Sequence, residues 1–130
     1  MSQITRPPAF IPMADVAVSD ADLVLTMDVP GLREEDLSIE LIDGYLVVRG
    51  ERKMPEVSDS VSLAHRERSF GRFERRIRMP DGVDPESITA NLDHGVLSLI
   101  VPKPERMRPK AISIASGTGS ERRELTAAAS

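Results

Sequence analysis

LSIELIDGYLVVR, running from Leu37 to Arg49, is the stretch whose reading decides the fold. Leu37, Ile39 and Leu41 alternate with Ser38, Glu40 and Ile42, Asp43-Gly44 interrupts, and Leu46 and Val48 then take up the same period. Alternation with period two sends successive side chains to opposite faces of a strand. Asp-Gly between two such runs marks a tight hairpin, because the turn needs positive φ.

The same grammar repeats outward. Upstream, Asp15 to Val18 is a short alternating segment, and Leu23, Leu25, Met27 and Val29 share a face until Pro30-Gly31 turns the chain. Arg33-Glu34-Glu35-Asp36 is a charged connection with room for one helical turn. Downstream, Phe73, Arg75, Ile77 and Met79 alternate with Glu74, Arg76 and Arg78, and Pro80 closes the segment. Ile88, Ala90 and Leu92 lead into a second hairpin at Asp93-His94-Gly95. Val96 to Val101 follows, with Leu97, Leu99 and Val101 on one face, stopped by Pro102 and Pro104. Between Arg52 and Gly71 the chain is polar and carries Pro55. It predicts a long loop with one short strand over Ser62, Leu63, Ala64, His65 and Arg66, and a loop of such length in a compact domain is usually functional. Seven or eight short aliphatic strands in roughly 90 residues predict an all-β sandwich.

The 130 residues allow one domain of ordinary size, large enough to bury a core without staples. Cysteine is absent, which removes disulfides, thiolate metal sites and Cys nucleophiles. His65 and His94 have no His or Cys at ligand spacing, so no metal and no cofactor is expected. No apolar run approaches the ~20 residues that span a bilayer, and the N-terminus lacks a signal-peptide core. The chain therefore reads as cytoplasmic, with no membrane partner. Ten prolines and eight glycines leave no long amphipathic helix.

No catalytic constellation emerges. There is no phosphate-cradling Gly-rich loop, no nucleophile elbow and no acid placed to orient either histidine. Carboxylates such as Glu34-Glu35 and Asp84-Glu86 fall in turns, where they read as solvated surface. Acid–base work needs burial to tune a pKa. No catalytic residue is assigned.

Two features stand apart from the strands. From His65 to Arg78, six arginines oppose Glu67 and Glu74, a local charge of +4 in a chain of net −4, which leaves the rest at −8. One reading sets these arginines on phosphates, with Phe70 and Phe73 as stacking platforms. The other pairs them with acids within or between subunits, because Arg75 shares a face with Phe73, Ile77 and Met79. The chain has acids in excess, so the second reading is preferred and no nucleic-acid partner is expected. The other feature is Ile112-Ser113-Ile114, beyond a linker containing Pro102, Pro104 and Pro109. Two β-branched residues two apart point the same way from an extended chain, so both can enter one groove. They read either as a last strand of the same subunit or as a tethered plug for a neighbour.

Several segments together resemble the α-crystallin domain of the small heat-shock protein family. They are Asp28-Val29-Pro30-Gly31, Glu67-Arg68-Ser69-Phe70-Gly71-Arg72-Phe73, Asn91-Leu92-Asp93-His94-Gly95-Val96-Leu97, Val101-Pro102-Lys103 and Ile112-Ser113-Ile114, in the family's order. The resemblance implies an immunoglobulin-like sandwich and an ATP-independent holdase that binds partly unfolded client proteins and assembles with itself. It divides the chain into a flexible arm over 1–11, the domain over 12–103 and a flexible extension over 104–130. It further implies a bacterial or plant-type dimer, in which the strand Ser62–Arg66 pairs with the partner near Val16 and Arg75 sits at the interface. Ile112 and Ile114 match the family's anchor, and Leu37, Ile39, Leu41, Ile88, Ala90 and Leu92 its accepting groove. A co-chaperone module of the p23 type, sharing the fold, is the alternative; the Ile-X-Ile anchor speaks against it. The short arm, with Phe10 its only aromatic, departs from the longer Phe-rich region that family members use to bind clients and build shells.

Overall fold

A computed structural model describes residues 9–117; residues 1–8 of the expected arm and 118–130 of the expected extension lie outside the described residues. Strand β1 (Ala14–Val18) pairs with β2 (Asp22–Asp28). A 3₁₀ turn at Glu34–Asp36 leads to β3 (Leu37–Ile42), which pairs with β4 (Tyr45–Arg52), which pairs in turn with β5 (Gly71–Arg78). A second 3₁₀ turn at Pro85–Ser87, begun by Asp84 accepting from the Glu86 amide, precedes β6 (Thr89–Asp93) and β7 (Val96–Pro102). All pairings are antiparallel, and the sheets run β1-β2-β7-β6 and β3-β4-β5. The fold is the all-β sandwich read from the alternation, in two sheets, as the immunoglobulin-like form implied by the resemblance requires.

Both short hairpins follow from their turn residues. Asp43 and Gly44 have φ of 50° and 80°, and His94 and Gly95 have 51° and 77°. Two successive positive φ values define the turn whose twist matches a β-ribbon. The second loop is tighter than expected, since Asp93 still pairs with Val96.

The core lies between the sheets. Leu25 and Met27 of β2 and Leu97, Leu99 and Val101 of β7 meet Leu46 and Val48 of β4 and Phe73 of β5. Each such side chain, fully buried, contributes about 1.5–3 kcal/mol. Gly50 is required by close approach: a Cβ there would stand 2.6 Å from Cζ of Phe73 and 2.9 Å from the Asp36 carbonyl oxygen.

Phe10, expected in the flexible arm, is instead part of this core. It is 7% exposed, and its ring stands edge-on to Phe73 with centroids 5.5 Å apart. Ala9 bridges Phe70 in parallel, and the Phe10 amide donates to the Phe70 carbonyl at 3.3 Å. The residues after it serve the fold too, since Pro12 is fully buried.

The expected strand over Ser62–Arg66 does not form within the chain. From Lys53 to Ser69 there is no ladder, and Val57, Val61 and Leu63 are about half exposed or more. A strand needs a partner for its amides and carbonyls, and among the described residues no strand runs beside the loop. A short 3₁₀ turn at Glu105–Met107 was not anticipated. It is held where Arg106 donates to the Asp81 carbonyl at 2.6 Å and Arg108 to the Lys103 carbonyl at 2.9 Å.

The outer face of the three-stranded sheet is a charge ladder over buried Val47. Arg49 Nε donates to Glu74 Oε1 at 2.7 Å across the β4–β5 register, Arg49 Nη1 reaches Glu40 at 3.3 Å, and Arg76 reaches Glu74 at 3.8 Å. The hydrogen bond from Arg49, more than its charge, holds the Glu74 carboxyl below its ordinary range. A carboxylate depressed on folding stabilises the fold at pH above its unfolded pKa of about 4.3 and loses that contribution as pH falls through its folded value. Because both side chains are half exposed, the effect is small. We expect Glu74→Gln to lower the melting temperature slightly near neutrality and to converge on the parent curve in acid. Melting curves with the same offset at every pH would remove this role from the pair.

Candidate functional site

Strand β3 is the edge of one sheet and β6 the edge of the other, and between them lies an apolar furrow with two hollows. One, of about 190 Å³, is lined by Ile39, Leu41, Leu46, Pro85, Ile88, Ala90 and Leu99, with Glu40 at its rim. The other, of about 280 Å³, is lined by Leu37, Ile39, Ala90, Leu92 and Leu97, with Glu34 and Asn91 at its rim. All six residues that the resemblance implied as groove therefore come together, and Ile39 and Ala90 are shared by both hollows. Leu37, Ile39 and Leu41 face this furrow because alternation in β3 sends them to the inner side of an edge strand that has a neighbour on one side only. The sequence reading missed the floor, Leu46, Leu97 and Leu99. These were visible as inward-facing strand positions, whereas Pro85 carried no signal.

Ile112 and Ile114 are 89% and 96% exposed, and the segment after Met107 forms no strand among the described residues. Among the described residues they are therefore not a last strand of their own subunit. In an extended chain, side chains two residues apart project in one direction about 7 Å apart.

The second set of expected residues lies elsewhere. Val16 is in β1, the other edge of the four-stranded sheet, and is 49% exposed, with Val18 at 65%. Ser62, Leu63, Ala64 and His65 are exposed in the loop, and Arg66 is half-buried there. Arg75 lies half-buried on the inner side of β5, as its alternation requires, and of the two placements expected for its acids, within or between subunits, the one within the subunit is not found. Among the described residues no carboxylate lies within ion-pair distance, and its one hydrogen bond is a long 3.4 Å donation to the Pro12 carbonyl.

The remaining arginines divide between acids and rings. Arg72 pairs with Glu51 at 3.7 Å and Arg76 with Glu74. Arg66 and Arg68 instead stand over Phe70, and Arg76 and Arg78 over Tyr45. Ring faces thus take part of the work that the sequence reading gave to acids. Phe73 is buried and is no stacking platform. Both histidines, against expectation, do meet a carboxylate: His65 reaches Glu67 at 3.2 Å and His94 reaches Asp93 at 3.0 Å. Both pairs are exposed and formed by near neighbours in sequence, which is surface pairing. Among the described residues, no three His, Cys, Asp or Glu gather as a metal site, and no helix is long and apolar enough to cross a membrane.

Similarities to known proteins fit this geometry. A sequence model described as the Hsp20/alpha crystallin family matches residues 15–115. Spore protein SP21 of Stigmatella aurantiaca is 36% identical over 118 residues, covering 91% of this chain and 69% of that protein. A 17.7 kDa class I heat shock protein of rice is 40% identical over 92 residues, covering 70% of this chain and 58% of that protein, so the match spans little more than half of the rice protein's length. Among solved structures, a small heat-shock protein from Xylella fastidiosa superimposes with a TM-score of 0.68 at 33% identity, over 84% of this chain and 100% of that one. Heat shock protein 16.0 from Schizosaccharomyces pombe does so at 0.69 and 28% identity, over 82% and 99%.

Proposed function

Because the chain belongs to the Hsp20/alpha crystallin family, we propose that it is a chaperone of the holdase kind, binding partly unfolded client proteins without ATP and preventing their aggregation. The observation that carries this reading is the open furrow between β3 and β6 together with the unengaged Ile112 and Ile114 of the same chain. An apolar sheet edge left open is a hazard unless something covers it. A tethered pair of isoleucines covers it reversibly, and their departure on heating exposes the furrow to clients.

The working unit we propose is a homodimer that joins into larger assemblies. The loop strand Ser62–Arg66 pairs with β1 of the partner near Val16, which supplies the ladder that the loop lacks within one chain. Half-exposed Val57, Val61 and Leu63 support this, as does the free outer edge of β1. Arg75, half-buried without an acid of its own, finds its counter-charge across that interface. Ile112 and Ile114 of one dimer dock in the furrow of another, burying Leu37, Ile39, Leu41, Ile88, Ala90 and Leu92. The proposal places the protein in the cytoplasm and gives it no catalytic reaction, no cofactor or metal, and no nucleic-acid or membrane partner.

The direct test is light scattering from a heat-labile client protein. A molar equivalent of this chain should suppress the rise in scattering with or without ATP. Equal aggregation in its presence and absence would remove the holdase reading, and suppression that requires ATP would overturn its mechanism.

A further inference from the structure

At the root of the long loop, three guanidinium groups converge on one aromatic ring. Arg52, Arg66 and Arg68 place their Cζ atoms 5.2, 5.8 and 5.1 Å from the centroid of Phe70, and Arg52 also stands 5.2 Å from the ring of Phe10. No two of these guanidinium carbons can lie more than about 11 Å apart, comparable to the ~10 Å screening length at 0.1 M salt, so their charges repel one another. Cation–π attraction at partly exposed sites is worth only ~0.5–1 kcal/mol each, so the ring offsets that repulsion without neutralising it.

Beside the ring opens a cleft of about 230 Å³, whose wall includes Arg52, Lys53, Arg68 and Phe70 together with Asp36 and Glu51. Both acids have a partner of their own through one carboxylate oxygen. Asp36 accepts from the Arg33 amide at 2.9 Å, and Glu51 reaches Arg72 at 3.7 Å. Among the described residues, Arg52, Lys53, Arg66 and Arg68 have no carboxylate within 4 Å, and the guanidiniums of Arg52 and Arg68 donate to no protein acceptor. Arg66 gives one hydrogen bond, to the Met54 sulfur at 2.7 Å. A guanidinium held over a ring keeps its in-plane N–H groups free, and forked donors of this kind match the oxygens of a phosphate.

We propose that this cleft is a binding site for a small oligophosphate anion, with Arg52 and Arg68 as its principal donors and Lys53 supplying further charge. The anion would neutralise the cations gathered at the loop root. The compact wall, with one aromatic ring and three cations, fits a discrete anion, not a continuous strand, which needs a track of successive platforms.

The test is titration of the full-length chain with inorganic triphosphate at low salt, followed by calorimetry. Saturable binding that weakens as salt is added is expected, and Arg52→Gln with Arg68→Gln should weaken it by about tenfold or more. Arg106→Gln, at the Asp81 carbonyl, should leave it unchanged. On the parent chain, amide resonances of Gly31 and Lys53 should move with triphosphate while that of Ser19, in the β1–β2 turn, stays, a readout that does not depend on whether the double variant folds. No saturable binding, equal binding by the double variant, or an unmoved Lys53 resonance would overturn the site. So would binding of a single-stranded oligonucleotide without binding of triphosphate, which would mark an extended polyanion surface instead.

Discussion

Replacing Ile112 and Ile114 together by alanine is expected to shift the sedimenting species of the full chain from an assembly to a dimer. The two side chains are almost wholly exposed within their own subunit, so the fold itself loses nothing when they are shortened. Docked in the β3–β6 furrow of a neighbour, each would bury an aliphatic side chain worth about 1.5–3 kcal/mol, before the cost of ordering the linker. At 1.4 kcal/mol per factor of ten, the pair is worth roughly a hundredfold or more in the dimer–dimer association constant. Because each dimer carries two anchors and two furrows, the loss multiplies across an assembly. Sedimentation velocity at two concentrations reads this directly, and the melting temperature of the domain should stay close to the parent's. The reciprocal change, Ala90→Glu at one of the two residues common to both hollows, should give the same dimer from the other side of the contact. An unchanged profile in both variants would leave the isoleucines with no part in assembly.

Phe10→Ala is expected to lower the stability of the domain by about 3 kcal/mol, the usual cost of truncating a buried phenylalanine. For a domain of this size that is a fall in melting temperature of roughly 10 °C. The buried ring packs edge-on against Phe73, and its backbone is tied to Phe70. Its loss also leaves Arg52 with one ring instead of two. Ile11→Ala, one residue on and 63% exposed, is the control and should change stability by less than about 0.5 kcal/mol. Thermal melts followed by circular dichroism decide the matter. A Phe10→Ala variant within about two degrees of the parent would mean that the aromatic seat is not part of the fold.

These two residues mark opposite limits of what patterning conveys. Ile112 and Ile114 were legible because two β-branched residues beyond a proline-rich linker stand out against a polar tail. Phe10 was not, because a single aromatic among prolines has no period, and nothing local says that a gap between two sheets awaits it. The loop is a third case. Ser62–Arg66 reads as a short strand, yet a strand also needs a partner, and among the described residues no strand is beside it. Arg75 shows the same limit in charge. Its inward direction followed from the register of β5, but the expectation of nearby acids rested on their overall excess, which says nothing about where they lie. The convergence on Phe70 lay wholly out of reach, since it joins Arg52 at the end of β4 to Arg66 and Arg68 across the loop.

By itself, then, the order of residues determined the strands, the two hairpins and the inward faces. Period two and the positive-φ preference of Asp-Gly and His-Gly are local properties that act over a few bonds. It also put Leu37, Ile39 and Leu41 on one face and Ile88, Ala90 and Leu92 on another, whereas their reading as a groove came from the family resemblance. The tertiary structure alone decided that β3 and β6 lie at the same side of the sandwich, so that two half-buried apolar rows become one furrow. It alone decided that Phe10 enters the core and that arginines far apart in sequence share a ring. Such contacts depend on how sheets stack and where gaps remain, and packing of that kind is a property of the whole chain at once.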